Sequence, residues 1–315
     1  MAGSVHTIIL NWRTAEMTIQ SLDHAVVAMQ GIEGMITVVD NDSGDGSFER
    51  ISSHAAAEGL DRVRVVQSGR NGGFGAGNNV AMFDALPDGR VPDYVYLLNS
   101  DAFPEPDAIA ILRDYLDAHP DVGMAGSRIV GTDGVLHESA FRFPSVASEF
   151  EAASRTGPVT RLLSRYVVSL PVPDRPTEVD WAAGASLMMR RRMLDRIGGF
   201  DEQFFLYYEE TDLCRRAARA GWPTHYVPSS VVAHVGSGST GLKTLSRMPG
   251  YWFDSRQHYF RKNIGALGAV AANLAHIAGG ALFRARCVIE RRQDRGAPGQ
   301  LRAIARHGFS SRRKR

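Results

Sequence analysis

The stretch that decides the fold is Tyr94-Val95-Tyr96-Leu97-Leu98-Asn99-Ser100-Asp101, an apolar run that ends in polar residues. Its first five residues are typical of a buried strand, and similar runs occupy residues 5–10, 35–39 and 63–66. Longer stretches with helical character lie between or after them, near residues 14–30, 46–58, 75–86 and 106–118. This alternation predicts βαβ units, and therefore an α/β protein whose mainly parallel central sheet is flanked by helices.

Polar residues follow each of the four predicted strands. In chain order they are Asn11, then Asp40, then Asn71 with Gly72, and then Asn99 with Asp101. Asp, Asn and Gly are also common in ordinary turns, which is the alternative at any single position. Because open parallel sheets bind ligands outside the carboxyl ends of their strands, the repeated placement predicts a nucleotide cleft.

Within that cleft the residue types suggest separate tasks. The carboxylate of Asp40 can accept hydrogen bonds from a ribose hydroxyl or a pyrimidine N–H. The glycine-rich segment that starts at Gly72 precedes a predicted helix, where backbone amides can bind a diphosphate. Asp101 is placed to bind a divalent cation such as Mn²⁺ or Mg²⁺, with helix capping as the alternative. His234 follows a further apolar run and precedes a polar loop, so we predict it as an additional ligand of metal or diphosphate, although a structural role is the usual one for a lone histidine.

The most informative segment runs over residues 198–216 and contains two adjacent carboxylates, Glu209 and Glu210, after an aromatic run. A buried carboxylate is costly unless it is paired or serves a site, so one of the two is predicted to be a general base. Asp212 fits better as a helix N-terminal acid that pairs with a following arginine. Trp181 and Gly184 are predicted to line an acceptor or sugar pocket, although a core tryptophan is equally consistent with the pattern.

Composition narrows the class of protein. The chain has 315 residues, of which 44% are hydrophobic and 22% charged, which argues against a disordered, collagen-like or disulfide-scaffold protein. Cys214 and Cys287 lack pair or motif spacing, and residues 1–10 show no signal peptide, so we expect a cytoplasmic protein.

The carboxyl-terminal region differs from the rest. Residues 284–315 are rich in arginine, a pattern that suits anionic lipid or a merely solvated tail. Residues 264–283 carry no charge, and their larger apolar side chains, Leu267, Val270, Leu274 and Ile277, form a helical stripe. We expect this stripe to pack on the body or on another subunit. Docking at the inner face of the cell membrane is the second interpretation, and a membrane span the third.

These features divide the chain into three parts. We expect residues 1–130 to form a Rossmann-like half that binds the nucleotide-sugar, residues 131–241 to form the acceptor and catalytic half of the same domain, and residues 242–315 to form a helical, basic extension. Residues 145–178, which are rich in proline, are predicted to be an insertion or mobile loop.

The ordered motifs resemble glycosyltransferase family 2, whose members have the GT-A fold. They are Ile-Leu-Asn-Trp in the first strand, Val-Val-Asp-Asn-Asp-Ser, Asn-Gly-Gly-Phe-Gly, Leu-Leu-Asn-Ser-Asp, Gly-Gly-Phe-Asp-Glu, Tyr-Glu-Glu-Thr-Asp-Leu-Cys-Arg-Arg and the later His234. The resemblance covers about residues 5–240, and within the family the chain looks most like bacterial rhamnosyltransferases of cell-wall or polysaccharide assembly.

The resemblance implies roles for single residues. Asp40 would bind the nucleoside, Asp101 would be the acid of an Asp-x-Asp type metal motif, the pair Glu209-Glu210 would supply the base, and His234 would assist at the metal or diphosphate. Two positions depart from the family pattern. Asn99 replaces the first Asp of the metal motif, and Glu210 stands where Asp is usual, which leaves open whether Glu209 or Glu210 is the base.

The implied activity is an inverting, metal-dependent transfer of a sugar. The donor would be dTDP-rhamnose or a UDP-sugar, and the acceptor a glycan or a polyprenyl-linked glycolipid. We expect no nucleic-acid partner, and a homo-oligomer is compatible with the sequence. The alternatives are a catalytically silent nucleotide- or glycan-binding protein and a nucleotidyltransferase, for which Asn11-Trp12-Arg13-Thr14 is a poor triphosphate loop.

Overall fold

The computed structural model of the protein describes residues 2–236, 248–291 and 299–309. The first part of the chain forms β1 (Val5–Asn11), α1 (Ala15–Ala28), β2 (Gly34–Asp40), α2 (Ser47–Ala57), β3 (Val63–Gln67), α3 (Phe74–Met82), β4 (Tyr94–Asn99), β5 (Ala102–Pro104), α4 (Ala108–Ala118) and β6 (Met124–Val130). It continues through β7 (Ala140–Phe141), α5 (Val146–Ser154), α6 (Gly157–Leu162), a 3₁₀ turn (Ser164–Tyr166), β8 (Thr177–Val179), β9 (Trp181–Ala182), β10 (Ser186–Arg190), α7 (Arg191–Ile197), α8 (Glu209–Arg219), β11 (Thr224–His234), α9 (Gly250–Ile289) and α10 (Gln300–Phe309).

A nine-stranded mixed sheet organises the body. Its order is β3-β2-β1-β4-β10-β6-β11-β5, and β8 pairs with β11. Strands β1 to β4 are mutually parallel, as are β6 and β11, whereas β5, β8 and β10 run antiparallel to their neighbours. The predicted α/β sheet flanked by helices is therefore confirmed. The larger of its two parallel parts consists of the first four strands.

The strand order also locates a ligand crevice. From β1 the chain moves outward to β2 and β3 on one side and then returns to place β4 on the other side. Ligands bind where the strand order reverses, outside the carboxyl ends of the strands, which here means beside the ends of β1 and β4. Ile8, Ile9 and Leu97 are fully buried or nearly so, as expected for strands covered on both faces.

The segment 145–178 is a folded part of the structure, so the prediction of a mobile loop is wrong, whereas that of an insertion stays a prediction. It contains α5, α6 and the 3₁₀ turn before β8 pairs with the sheet. A capping box starts α5, because Ser148 N donates to Ser145 Oγ (3.1 Å) and Ser145 N donates to Ser148 Oγ (2.8 Å). The prolines of this segment marked its turns and did not prevent ordered helices.

The carboxyl-terminal extension is anchored on α5 and α8. Helix α9 has a break at Gly265, where φ is +81°. Beyond the break it lies so close to α5 that a Cβ on Gly279 would be 2.5 Å from the carbonyl oxygen of Phe150. Before the break, Lys262 Nζ donates to Asp201 Oδ2 and Asp212 Oδ2, each at 2.8 Å.

A buried polar cluster joins α5 to both halves of α9. Glu149 Oε2 accepts from Arg256 Nη2 (2.8 Å) and lies 2.7 Å from His276 Nδ1. Burial alone would raise the pKa of Glu149, but its bonds with His276 and Arg256 hold that pKa below the usual value. We name these three residues the α5–α9 cluster. It holds the extension to the body through charges that are almost fully enclosed.

The expectation that the apolar stripe packs on the body is wrong, whereas packing on another subunit stays a prediction. The inward face of α9 beyond Gly265 is built from small and polar residues: Ala269, Ala272, Asn273, His276, Gly279 and Gly280 are buried. The stripe residues Leu267 and Leu274 are 87% and 55% exposed, and Val270 is 37% exposed. Small residues occupy the inward positions of α9 because its backbone approaches the backbone of α5 so closely. The larger apolar side chains are left on the outside.

Candidate functional site

A cavity of about 320 Å³ opens at the ends of β1 and β4, at the predicted switch point. We call it the sheet-edge cavity. It is lined by Leu10, Trp12, Asn41, Asn71, Gly73, Phe74, Asn99, Ser100, Asp101, Phe205, Leu206 and Tyr251. Three of the residues predicted for nucleotide-sugar binding, Asn71, Asn99 and Asp101, are thus brought together here.

Asp101 and Asn99 form the polar end of this cavity, and His234 contacts both of them. His234 Nε2 lies 3.0 Å from Asp101 Oδ1 and 3.4 Å from Asn99 Nδ2. Asp101 is 4% exposed, and Asn99 Oδ1 is buried with no hydrogen-bond partner among the described residues. A carboxylate oxygen, an imidazole nitrogen and an unpartnered amide oxygen are ligand types that a divalent cation accepts. No group of three or more His, Cys, Asp or Glu side chains with metal-site geometry occurs in the described part of the chain. Any cation here would therefore draw further ligands from a bound molecule or from amide oxygen.

Asn11 and Asp40 are placed beneath the cavity, not on its wall. Asp40 is 1% exposed, and its carboxylate accepts from Asn11 Nδ2 (2.6 Å), Ser43 Oγ (2.6 Å) and Ser43 N (3.1 Å). Asn11 Oδ1 in turn accepts from Thr18 Oγ1 at 2.7 Å. These bonds fix the loop after β2 against the end of β1. Asn41, which follows Asp40, lines the cavity and was missed by the sequence analysis.

The glycine-rich loop before α3 forms the second wall of the sheet-edge cavity. Asn71 Oδ1 accepts from Asn41 Nδ2 and from Gly73 N, both at 3.1 Å. Gly73, rather than the predicted Gly72, lines the cavity. Its φ is +87°, and a Cβ there would lie 1.8 Å from the carbonyl oxygen of Phe205. Only glycine fits, because the backbone of the aromatic run packs directly on this loop.

A second cavity of about 450 Å³ lies between the body and the extension, and we call it the interhelical cavity. From the body it is lined by Pro144, Ser148, Glu149, Ala152, Ala153, Arg155, Val168, Trp181, Tyr207, Tyr208, Glu210 and Thr211, and from the extension by Trp252, His276, Gly280, Phe283, Arg284, Gln300 and Leu301. Both cavities fall within or near the usual size range of small-molecule sites.

Two short segments separate the cavities. Phe205 and Leu206 face the sheet-edge cavity, whereas the next residues, Tyr207 and Tyr208, face the interhelical cavity. The extension repeats this arrangement, because Tyr251 lines the first cavity and its neighbour Trp252 lines the second. The two sites thus share one thin partition.

The partition positions Glu209 and Glu210 at the first turn of α8. Tyr207 and Tyr208 precede them with φ values of +72° and +70°, a left-handed conformation that costs roughly 1–2 kcal/mol for each non-glycine residue. Glu210 lines the interhelical cavity, whereas Glu209 is 3% exposed and does not. Strained backbone of this kind is a feature of functional sites, where the surrounding structure enforces it.

Both carboxyl groups are buried and poorly compensated. Glu209 Oε2 and Glu210 Oε2 have no hydrogen-bond partner among the described residues. Burial, and then the charge of Glu210, raise the pKa of Glu209 well above its usual value. Burial also raises the pKa of Glu210. Both carboxyl groups therefore hold their protons to a higher pH than an exposed glutamate does, and the charge on one opposes ionisation of the other.

Of the predicted pocket residues, Trp181 shares the interhelical cavity with Glu210, and Gly184 lies against Glu210. Trp181 lines the interhelical cavity, stacks on Phe141 with a centroid distance of 4.1 Å, and donates from Nε1 to a backbone oxygen (2.9 Å). A Cβ on Gly184 would lie 3.6 Å from the Phe74 ring and 3.8 Å from Glu210 Cβ. Gly184 therefore lies between Phe74, which lines the sheet-edge cavity, and Glu210, which lines the interhelical cavity.

Asp212 has the structural role that was expected of it. Arg216 Nε donates to its Oδ2 at 2.9 Å, one turn along α8, and Asn263 Nδ2 donates to its Oδ1 at 3.1 Å.

The sequence analysis missed the aromatic residues of the sheet-edge cavity and the extension residues of both cavities. Trp12, Phe205 and Tyr251 surround the sheet-edge cavity, and Phe205 and Tyr251 contact each other with a centroid distance of 5.5 Å. Aromatic residues in short runs usually indicate core, and Tyr251 lies in a segment that carries no recognisable motif. The polar loop predicted after His234, residues 237–240, lies outside the described residues, as do residues 310–315 of the basic tail.

Comparison with known proteins decides the family. A family model described as glycosyltransferase-like family 2 matches residues 4–255. The chain belongs to this family. The resemblance inferred from the ordered motifs is thereby confirmed, and the protein is a glycosyltransferase.

Two curated relatives of this glycosyltransferase transfer rhamnose. N-acetylglucosaminyl-diphospho-decaprenol L-rhamnosyltransferase of Mycobacterium tuberculosis is 31% identical over 222 residues, which cover 68% of this chain and 70% of the relative. Rhamnosyltransferase WbbL of Escherichia coli is 30% identical over 190 residues, which cover 59% of this chain and 67% of the relative.

A solved structure confirms the GT-A fold. The mannosyltransferase PcManGT from Pyrobaculum calidifontis, in complex with GDP-mannose and Mn²⁺, superposes on the glycosyltransferase with a TM-score of 0.59. The superposition covers 99% of this chain and 82% of the other at 16% sequence identity, so the likeness is one of fold alone.

Proposed function

We propose that this glycosyltransferase moves a sugar, with inversion at the anomeric carbon, from a nucleotide donor in the sheet-edge cavity to an acceptor hydroxyl in the interhelical cavity. The observation that carries the proposal is the shared partition between the two cavities. A donor bound on one side and an acceptor on the other would meet near Gly184 and Glu210. Holding both reactants in this way replaces a bimolecular encounter with an oriented one.

Glu210 is the proposed base. It lines the interhelical cavity, and its carboxylate can take the proton from an acceptor hydroxyl as that hydroxyl attacks the anomeric carbon from the face opposite the nucleotide. Its raised pKa makes it a stronger base than an exposed glutamate. Glu209 is the proposed supporting acid, which keeps its proton and leaves the negative charge on Glu210.

Asp101 and His234 are the proposed ligands of a divalent cation, Mn²⁺ or Mg²⁺. The 3.0 Å separation of their ligand atoms and the unpartnered Asn99 Oδ1 support this assignment. When bound, such a cation neutralises charge on the departing diphosphate. Asn41, Asn71 and the backbone of Gly73 would hold the remainder of the donor, and Trp12 offers an exposed ring to a nucleobase. Asp40 acts in this proposal by fixing the loop that carries Asn41.

For the substrates we propose L-rhamnose from dTDP-rhamnose as donor sugar, with a UDP-sugar as the alternative. The support is the activity named for both curated relatives. The proposed acceptor is a sugar on a polyprenyl diphosphate, as in the name of the mycobacterial relative, in cell-wall or polysaccharide synthesis.

An acceptor of this kind places the enzyme at the inner face of the cell membrane. The outward face of α9 beyond Gly265 supports this location. It is apolar, with Leu267, Leu274, Val288 and Ile289 all at least half exposed, and arginines such as Arg286 and Arg302 flank it. One helix of the described chain is long and apolar enough by composition to cross a membrane, but its inward face is occupied by the body. We therefore propose peripheral contact with anionic lipid.

The test is a panel of nucleotide-sugars incubated with the purified protein, Mn²⁺ or Mg²⁺ and a short-chain prenyl diphosphate sugar, with release of nucleoside diphosphate as the readout. We expect one donor to be consumed in a metal-dependent reaction. Asp101→Asn should abolish donor turnover, whereas Asp114→Asn, at an exposed carboxylate far from both cavities, should not.

If no nucleotide-sugar binds with either metal, the proposed function is wrong. Calorimetric binding without turnover for any acceptor would instead favour a silent binding protein on the same fold.

A further inference from the structure

The lining of the interhelical cavity separates into a floor and a rim. Ser148, Glu149, Thr211 and His276 are buried at its floor, close to the α5–α9 cluster. Arg155 and Arg284 are exposed and mark its rim. The floor is polar and enclosed, whereas the rim is cationic and open to solvent.

The two rim arginines come from different elements that meet at Phe283. Arg155 ends α5 in a left-handed conformation with φ of +45°, and its guanidinium lies 5.2 Å from the centroid of the Phe283 ring. Arg284 is the next residue of α9. The stacking on Phe283 orients the Arg155 guanidinium beside the rim and reduces the freedom that a bound anion would otherwise have to remove.

We infer that Arg155 and Arg284 bind the phosphate or diphosphate group of the acceptor. This inference rests on the proposed function and adds the part of the acceptor that the rim recognises. The planar guanidinium donates two parallel N–H bonds to phosphate oxygens, which is the geometry that a sugar diphosphate presents.

The arrangement assigns an orientation to the acceptor. The sugar points to the floor, where Trp181 offers an aromatic face and Glu210 can reach one of its hydroxyls. The diphosphate lies at the arginine rim. The lipid chain then leaves past Phe283 and Leu301, on the helix pair that also presents the outward apolar face. A neutral glycoside could place its sugar at the floor of the interhelical cavity, but it would make no ionic contact with the arginines of the rim.

The experiment compares two acceptor probes with the same short prenyl chain: in one a diphosphate joins the chain to N-acetylglucosamine, and in the other the sugar is linked to the chain directly as a neutral glycoside. The variants are Arg155→Gln, Arg284→Gln and the double variant. Arg161→Gln, at an exposed arginine of α6 outside the cavity, is the matched control. Both the acceptor KM in the transfer assay and the calorimetric Kd without donor are measured.

We expect the double variant to raise the KM and Kd of the diphosphate probe about tenfold to a hundredfold. The constants for the neutral glycoside and the KM of the donor should stay unchanged, which also shows that the variant is folded. Equal changes for both probes, or no change for the diphosphate probe, would overturn the inference while leaving the transferase activity in place. Arginine-dependent binding of the diphosphate probe without any transfer would uphold the inference and contradict the proposed function.

A final arm separates the acceptor's phosphate from that of membrane lipid. Binding to phosphatidylglycerol vesicles is measured for the same variants. If the double variant loses vesicle binding but keeps its affinity for the soluble diphosphate probe, the arginines contact lipid headgroups and the inference is wrong.

Discussion

Replacing each member of the Glu209-Glu210 pair with glutamine tests the proposed chemistry most directly. Glu210 faces the acceptor cavity, so Glu210→Gln removes the proposed base and should lower kcat by about 10²–10⁴-fold, the usual contribution of general base catalysis. Glu209 keeps its proton in the proposed active state, because burial and the neighbouring charge raise its pKa. Glu209→Gln then replaces one neutral group with another, and kcat should stay within about tenfold of the wild-type value.

The pH dependence follows from the same shifts. A base with a raised pKa remains protonated, and inactive, further up the pH scale, so kcat should rise with pH through a limb above the ordinary glutamate pKa of about 4.3. In Glu210→Gln this limb should disappear. Stability should change in the opposite direction, because a folded state that holds the proton more tightly loses stability as pH rises through the raised pKa.

The assay measures nucleoside diphosphate release at saturating donor and acceptor as a function of pH, with Glu210→Asp as a control that keeps a carboxylate. We expect this control to retain activity, although the shorter side chain must reach the same hydroxyl. Equal losses in both glutamine variants, or a greater loss in Glu209→Gln, would refute the assignment of Glu210 as the base. Unchanged donor KM values would show that the cavities are intact.

Two further predictions concern the extension. Leu267→Ser combined with Leu274→Ser should abolish co-sedimentation with phosphatidylglycerol vesicles, whereas Leu162→Ser, at a leucine of α6 that is 82% exposed, should not. A loss of dimer without a loss of vesicle binding would instead identify this face as an interface between two copies of the chain. Arg256→Met should lower the free energy of unfolding by about 3–5 kcal/mol in urea denaturation, because it leaves Glu149 buried with only His276 as a partner. Adding Glu149→Gln should restore part of that loss, and an unchanged urea midpoint for Arg256→Met would contradict the role of the α5–α9 cluster.

Much of the fold could be predicted from the sequence because local signals agreed with the tertiary structure. The first four strands are rich in apolar residues, since helices cover both faces of the sheet, and each ends at a polar residue. Asn71, Asn99 and Asp101 were placed in the cleft by the geometry of parallel strands alone. The carboxyl ends of parallel strands meet at one edge of the sheet, whatever the side chains around them contact.

The remaining features depend on how closely helices and loops pack in three dimensions. The spacing of apolar residues along the sequence carries no information about such contacts. The stripe of α9 was assigned to the wrong side because apolar character was taken as a sign of burial, whereas contact with α5 selects residues without bulk, such as Gly279. Tyr207 and Tyr208 adopt left-handed backbone that their residue type disfavours. Tyr251 and Arg155 lie outside the motifs, and they line cavities only because the extension packs against the body.

The thin partition also bears on how function can be inferred among relatives. The family model ends at residue 255, within a few residues of Tyr251 and Trp252, whereas His276, Arg284 and Leu301 of the interhelical cavity lie beyond it. The end of the matched domain therefore leaves the whole lining of the sheet-edge cavity inside it and divides the lining of the interhelical cavity. Under the proposed roles, family members that align well over this domain would be informative about donor handling and could still differ in the molecule they glycosylate. Sorting them by acceptor would require comparing the residues that follow the domain.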